Sequence, residues 1–195
     1  MTLPNLLTVS RLFLAALMMA LLAAPVPFGK SAALLVFVLA GITDYLDGHL
    51  ARKHHAITSF GRLMDPLTDK VLVCAAFVSF VEMQLVPAWI VVIIISREFL
   101  VTGLSLLAAS RGGNIPVGKC GKHKTVWQIV AIVALLLGAA VRNDLLRAAP
   151  GDLLAGYDLA FKYIALAISA AVAMITIASG SMYYYQNRGL IVSRG

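Results

Sequence analysis

The sequence predicts an all-α integral membrane protein, with six transmembrane helices around a polar cavity open to the cytoplasmic side. Three observations lead there. First, 61% of the 195 residues are hydrophobic and 13% are charged, with a mean hydropathy of +0.90. A soluble domain carries about 45–50% apolar and about 25% charged residues, so this chain cannot hide its apolar surface from water and needs a bilayer as solvent. Second, the apolar residues fall into six runs separated by helix breakers. Third, the basic residues are unevenly divided between the two sides that six crossings would create.

The first run covers residues 12–26, with a start that can lie earlier, and closes at Pro25-Val26-Pro27. The second covers 31–50 and the third 67–81, joined by the polar turn around Lys53, His54 and His55. Pro66 is tolerable if it sits in the first turn of the third helix. The fourth run follows Pro87 over 87–109, the fifth covers 125–141, and the sixth follows Pro150-Gly151 over 153–183. A crossing helix needs about 20 residues, which these runs approach or meet. With the N-terminus inside, the cytoplasmic side holds Arg11, Arg52, Lys53, Arg62, Arg111, Lys119, Lys122, Lys124, Arg188 and Arg194. The other side holds Lys30, Arg142, Arg147 and Lys162. That bias puts both termini in the cytoplasm, with Tyr183-Tyr184-Tyr185 as an interfacial aromatic belt.

The net charge of +7 therefore reads as topology. No basic patch is interleaved with aromatics, which argues against nucleic acid as a partner. Cys74 and Cys120 are too far apart in sequence to suggest a metal pair or a disulfide framework. Arg11 interrupts the first apolar run and no cleavage site follows, so a signal peptide does not fit. Nothing marks a second domain, and residues 1–195 read as a single membrane domain.

Four of the nine acidic residues, Asp44, Asp47, Asp65 and Asp69, lie within one stretch of 26 residues. At about 100° per residue, Asp44, Asp47, Gly48, Ala51 and Arg52 form one helical stripe, and Gly61, Asp65 and Asp69 form another. A short turn makes the second and third helices antiparallel neighbours with these stripes facing each other. Clustered carboxylates near a membrane repel one another, and a divalent cation resolves that repulsion. An all-oxygen donor set without cysteine suits Mg²⁺ or Mn²⁺ better than zinc. Two such ions about 4 Å apart can clamp an in-line displacement at phosphorus. Gly48, Ala51 and Gly61 leave room beside the acids for a bulky ligand; the plainer reading is close helix packing.

The pattern Asp44-x2-Asp47-Gly48-x2-Ala51-Arg52-x8-Gly61-x3-Asp65-x3-Asp69 resembles the signature of the CDP-alcohol phosphatidyltransferases at all eight defined positions. Pro4-Asn5-Leu6-Leu7-Thr8-Val9-Ser10-Arg11 resembles that family's N-terminal segment. Ser96-Arg97-Glu98-Phe99 and Gly118-Lys119-Cys120-Gly121-Lys122-His123-Lys124-Thr125 resemble the branch whose acceptor is glycerol 3-phosphate. The similarity covers about residues 2–140; the last span is merely apolar.

The resemblance implies a membrane enzyme that moves the phosphatidyl group of CDP-diacylglycerol onto glycerol 3-phosphate with Mg²⁺ or Mn²⁺, two ions by analogy. It implies Asp44, Asp47 and Asp65 as metal ligands, and Asp69 as general base that also touches a metal. Asn5, Thr8, Gly48, Ala51, Arg52 and Gly61 would bind CDP-diacylglycerol. Arg97, Lys119, Lys122 and Lys124 would bind the acceptor's phosphate. An arginine well inside an apolar span is a functional hypothesis by default, and its plainer alternative is a structural pair with Glu98 or a motif acid. The three lysines have their own plainer reading as topology signals. Where the resemblance leads one to expect another basic residue, this chain reads Gly103-Leu104-Ser105.

The family also suggests a homodimer among membrane lipids and, for a bacterial source, the inner membrane with the site facing the cytoplasm. Serine, inositol phosphate or phosphatidylglycerol remain alternative acceptors. A membrane prenyltransferase would be larger and carry a second Asp-rich motif. A divalent-cation carrier would spread its acids over several helices near mid-membrane.

Overall fold

All regular structure among the described residues is helical. The computed structural model describes the backbone of residues 3–51, 59–110 and 119–192, and the side chains of residues 9–43, 70–106 and 124–185. In chain order the elements are α1 (Leu3–Ala23), α2 (Gly29–Ala51), α3 (Ser59–Glu82), α4 (Ala88–Ser110), α5 (Lys119–Ala140), a π-helical turn (Val141–Leu145) and α6 (Gly151–Val192).

The breakers fall where the sequence puts them, between α1 and α2, before α4 and before α6. Helix α1 begins well before residue 12, with Pro4 in its first turn, where a missing N–H costs nothing. Pro66 departs from expectation: it lies inside α3, because the helix starts at Ser59 rather than near residue 67.

The turn after α3 has no glycine, yet closes as a Schellman motif. The Gln84 N–H donates to the Val81 carbonyl (2.9 Å) and the Leu85 N–H to the Phe80 carbonyl (3.0 Å). Gln84 takes the left-handed position at φ 59°. Phe80 is fully buried and Leu85 packs against the core, so apolar burial supports a conformation that glycine usually supplies.

Each helix contributes one buried stripe to a common core: Met18 and Leu22 from α1, Ala33 and Phe37 from α2, Phe77 and Phe80 from α3. Ile90 and Ile94 of α4, Ile132, Leu135 and Leu136 of α5, and Ala165 and Ala173 of α6 complete it. The opposite faces remain apolar and exposed, with Leu35, Trp89, Val92, Leu100, Trp127, Ile164 and Met174 all outward. Helices apolar inside and outside belong in lipid. Among the described residues, three helical stretches are long and apolar enough to cross a bilayer: Ala88–Leu106, Lys124–Leu145 and Gly151–Tyr185. Shorter apolar stretches cover Val9–Ala23 and Gly29–Thr43.

Helix α1 packs on α2 and α3, α5 on α2, α3 and α6, and α4 on α3 and α6. This corrects the expected neighbourhood of α2 and α3. Among the described residues α2 packs on α1 and α5, and α3 on α1, α4 and, less extensively, α5, rather than on each other. A short link limits how far apart two helix ends can lie, but does not force the shafts together when other helices offer better apolar faces.

One end of the bundle is stapled by charge. Asp144, in the π-helical turn, accepts hydrogen bonds from the Ser31 amide (2.8 Å) and hydroxyl (2.6 Å). It thereby satisfies an otherwise unpaired N–H in the first turn of α2, where a carboxylate also suits the helix dipole. Arg142 forks onto Asp158 of α6, with Nη2 at 2.8 Å from Oδ2. Lys30 donates to the Leu22 carbonyl at the end of α1.

Candidate active site

The other end of the bundle holds a buried polar cluster, and helical periodicity explains how it gets there. On α4, Ile90, Ile94 and Glu98 are spaced by four residues and are all buried, so Glu98 continues an apolar stripe and its carboxylate must point inward. On α5, Lys124 and Gln128 begin the stripe that continues through Ile132 and Leu136; both polar side chains are 2% exposed. Lys70 holds the corresponding place on α3.

These groups converge on Glu98. Its Oε2 lies 3.0 Å from Lys70 Nζ. Its Oε1 pairs with Lys124 Nζ, accepts from Gln128 Nε2 at 3.2 Å, and lies 3.6 Å from Arg97 Nη1. The described part of the cluster thus sets three cations from three helices around one carboxylate. A buried charge persists only when paired and hydrogen-bonded, and here one acid serves α3, α4 and α5 at once. Such a focus of positive charge under a low-dielectric wall attracts anions.

Arg97 turns the other way, toward α6. Its Nη2 donates to Ser179 Oγ, while its side-chain stem runs against Gly180. Two turns along α4, Ser105 Oγ lies 2.8 Å from the Tyr183 hydroxyl. Tyr183 is 6% exposed while Tyr184 and Tyr185 are exposed, so the expected tyrosine belt is divided: two rings face outward and the first closes the helix contact.

Cross-contacts place the motif helices relative to this cluster. Lys70 to Glu98 to Lys124, Arg97 to Ser179, and Ser105 to Tyr183 define one end, opposite the staple of Ser31, Asp144, Arg142 and Asp158. Asp69 immediately precedes Lys70 on α3, and Asp65 lies one turn earlier. Asp44, Asp47, Gly48 and Ala51 lie on the part of α2 remote from its stapled start. The acid-bearing segments and the basic cluster therefore share one end of the bundle.

The side chains of Asn5, Thr8, Asp44, Asp47, Gly48, Ala51, Gly61, Asp65, Asp69, Lys119 and Lys122 lie outside the described set, although their backbone is helical; Arg52 lies outside it altogether. No trio of His, Cys, Asp or Glu that could hold a metal occurs among the described residues. Of the expected site residues, Arg97 and Lys124 are brought together through Glu98. Sequence reasoning missed Lys70, Gln128, Ser179 and Gly180, and treated Glu98 only as an alternative partner of Arg97. A signal existed for Gln128, a lone amide four residues after Lys124 in an apolar run; Ser179 and Gly180 had none, being ordinary small residues of a long apolar helix.

The sequence pattern of the CDP-alcohol phosphatidyltransferase family matches residues 1–179. The chain is 38% identical to the CDP-diacylglycerol–glycerol-3-phosphate 3-phosphatidyltransferase of Bacillus subtilis, covering 95% of this chain and 94% of that protein. Enzymes of the same name from Rickettsia bellii (36% identity, 72% of this chain, 78% of theirs) and Haemophilus influenzae (39%, 68% and 74%) are also similar. With the family pattern covering most of the chain and a relative similar almost end to end, this chain belongs to the CDP-alcohol phosphatidyltransferase family.

Proposed function

We propose that this chain transfers the phosphatidyl group from CDP-diacylglycerol to glycerol 3-phosphate, yielding phosphatidylglycerophosphate and CMP. The observation that carries the reading is the near end-to-end similarity to the Bacillus enzyme of that name. The gathering of Lys70, Arg97 and buried Lys124 around Glu98 supports it, because the acceptor is an anion that needs fixed positive charge.

The donor set of α2 and α3, four carboxylates and no thiolate, fits a hard divalent cation. Asp44, Asp47, Asp65 and Asp69 would hold Mg²⁺ or Mn²⁺, two ions in this reading, which when bound neutralise the pyrophosphate and the departing CMP. Asn5, Thr8, Gly48, Ala51, Arg52 and Gly61 seat the nucleotide and pyrophosphate, the small residues by letting the ligand approach the helices. Arg97 binds the acceptor's phosphate, and Lys119, Lys122 and Lys124 add to the field that draws it in. Asp69 takes the proton from the acceptor hydroxyl as its oxygen attacks the β-phosphorus. The anhydride bond to the α-phosphate oxygen breaks, and CMP leaves with the bonding electrons. With the reactants held in line, positioning and electrostatics supply most of the rate.

All six helices cross the bilayer in this reading, as one membrane domain over residues 1–195. The cavity opens to the cytoplasm, in the inner membrane of a bacterium, and two copies form a homodimer.

The test is an acceptor panel with the full-length protein in lipid vesicles containing CDP-diacylglycerol and Mg²⁺ or Mn²⁺. CMP release should be fast with glycerol 3-phosphate, slow with serine, inositol phosphate or phosphatidylglycerol, and absent after chelation of the metal. Preference for any of the other three acceptors would overturn the acceptor assignment.

A further inference from the structure

Arg97 is held by the last helix as well as by its own. Its guanidinium donates to Ser179 Oγ, and its Cγ and Nε lie 3.0 and 3.4 Å from where a Cβ on Gly180 would stand. Arg97 Nε is buried and has no hydrogen-bond partner among the described residues. An arginine side chain has four rotatable torsions, and ordering it costs on the order of 2 kcal/mol of rotamer entropy. Inside an apolar span there is little water to share that task. Here the task is divided: Glu98 lies 3.6 Å from Nη1, Ser179 fixes Nη2, and Gly180 gives the stem a groove in the α6 backbone. The Ser105–Tyr183 bond ties the same two helices on the same side of the contact, so the Ser179–Gly180 wall cannot drift from α4.

We infer that Ser179 and Gly180 of α6 are positioning residues for the acceptor site: they aim the Arg97 guanidinium at the phosphate of the incoming glycerol 3-phosphate. The inference rests on the proposed role of Arg97 as acceptor-phosphate ligand. It gives the last helix a part in the reaction. Neither residue touches the reacting atoms, so their loss should appear in acceptor affinity rather than in the chemical step.

The experiment measures steady-state kinetics for both substrates, and glycerol 3-phosphate Kd without turnover, on full-length Arg97→Ala, Ser179→Ala, Ser179→Thr and Gly180→Ala. Loss of a hydrogen bond to a charged group predicts that Ser179→Ala raises the acceptor KM and Kd by about ten-fold. The KM for CDP-diacylglycerol, the kcat at saturating acceptor and the thermal midpoint should stay near wild type. Ser179→Thr keeps the hydroxyl and should restore acceptor affinity. In Gly180→Ala the new Cβ pushes the Arg97 stem by a few tenths of an ångström, for a loss of roughly three- to ten-fold. On top of Arg97→Ala, Ser179→Ala should add less than about two-fold to Kd, because its effect passes through a side chain already removed. If Arg97→Ala leaves acceptor Kd unchanged, the role of Arg97 itself fails. If Arg97→Ala weakens the acceptor but Ser179→Ala and Gly180→Ala do not, or weaken both substrates equally, the α6 inference alone is overturned.

Discussion

Replacing Glu98 by alanine removes the carboxylate that, among the described residues, Lys70, Arg97 and Lys124 share, and the geometry sets the size of the effect. Lys124 and Glu98 have side chains 2% and 3% exposed, so this pair is fully withdrawn from solvent. Breaking a buried pair from one side costs about 3–5 kcal/mol, because the remaining charge keeps its desolvation penalty and loses its partner. Lys70, a quarter exposed, can turn toward solvent and adds at most about 1 kcal/mol. Gln128 loses an acceptor at 3.2 Å, on the order of another 1 kcal/mol. Glu98→Ala should therefore destabilise the bundle by about 4–7 kcal/mol.

Glu98→Gln retains an acceptor oxygen and should cost roughly half as much. Glu98→Gln combined with Lys124→Met removes both charges and should return to within about 2 kcal/mol of wild type. The assay is reversible unfolding in mixed micelles by added denaturing detergent, followed by helical circular dichroism. A loss under about 1 kcal/mol for Glu98→Ala, or a double variant less stable than the sum of the singles, would refute the cluster as the electrostatic junction of α3, α4 and α5.

Two further outcomes follow from the same reasoning. Asp69→Asn should cut kcat by about 10²–10⁴-fold while CDP-diacylglycerol still binds in equilibrium titrations; binding lost to the same degree as in Asp44→Asn would make Asp69 mainly a metal ligand. Gly138→Ala places a Cβ within 2.6 Å of the Phe161 ring, where Tyr157 also donates to the Gly138 carbonyl at 2.8 Å. That overpacking should lower stability by about 1–3 kcal/mol, partly recovered by Phe161→Leu; an unchanged unfolding midpoint would contradict the tight α5–α6 seam.

Much of the bundle is legible in the chain. Pro25, Pro27, Pro87 and Pro150 fall between apolar runs, and among the described residues six α-helices match those runs. The start of α3 is not legible, because Ser59–Pro66 is too polar to read as a membrane helix although its backbone is helical. The Gln84 turn is hidden for a related reason: sequence signals for a left-handed cap look for glycine, and here packing of Phe80 and Leu85 supports the turn instead. Arg97 and Lys124 stand out as charges in apolar surroundings. Their meeting at Glu98 does not, since three helices must first align their stripes.

Composition alone dictates the solvent, because no arrangement of a chain 61% hydrophobic and 13% charged keeps that surface from water without lipid. The spacing of Asp44, Asp47, Asp65 and Asp69 likewise carries the resemblance to the CDP-alcohol phosphatidyltransferases, the family whose pattern matches residues 1–179. Only tertiary structure decided that α2 packs on α1 and α5 and α3 on α1 and α4 rather than on each other, that one glutamate answers three cations, and that Ser179 meets Arg97 across 82 residues of chain. The reason is physical. A polar residue at the end of an apolar stripe reads the same in sequence whether it faces water, lipid or another helix, and only the packing of the shafts decides which.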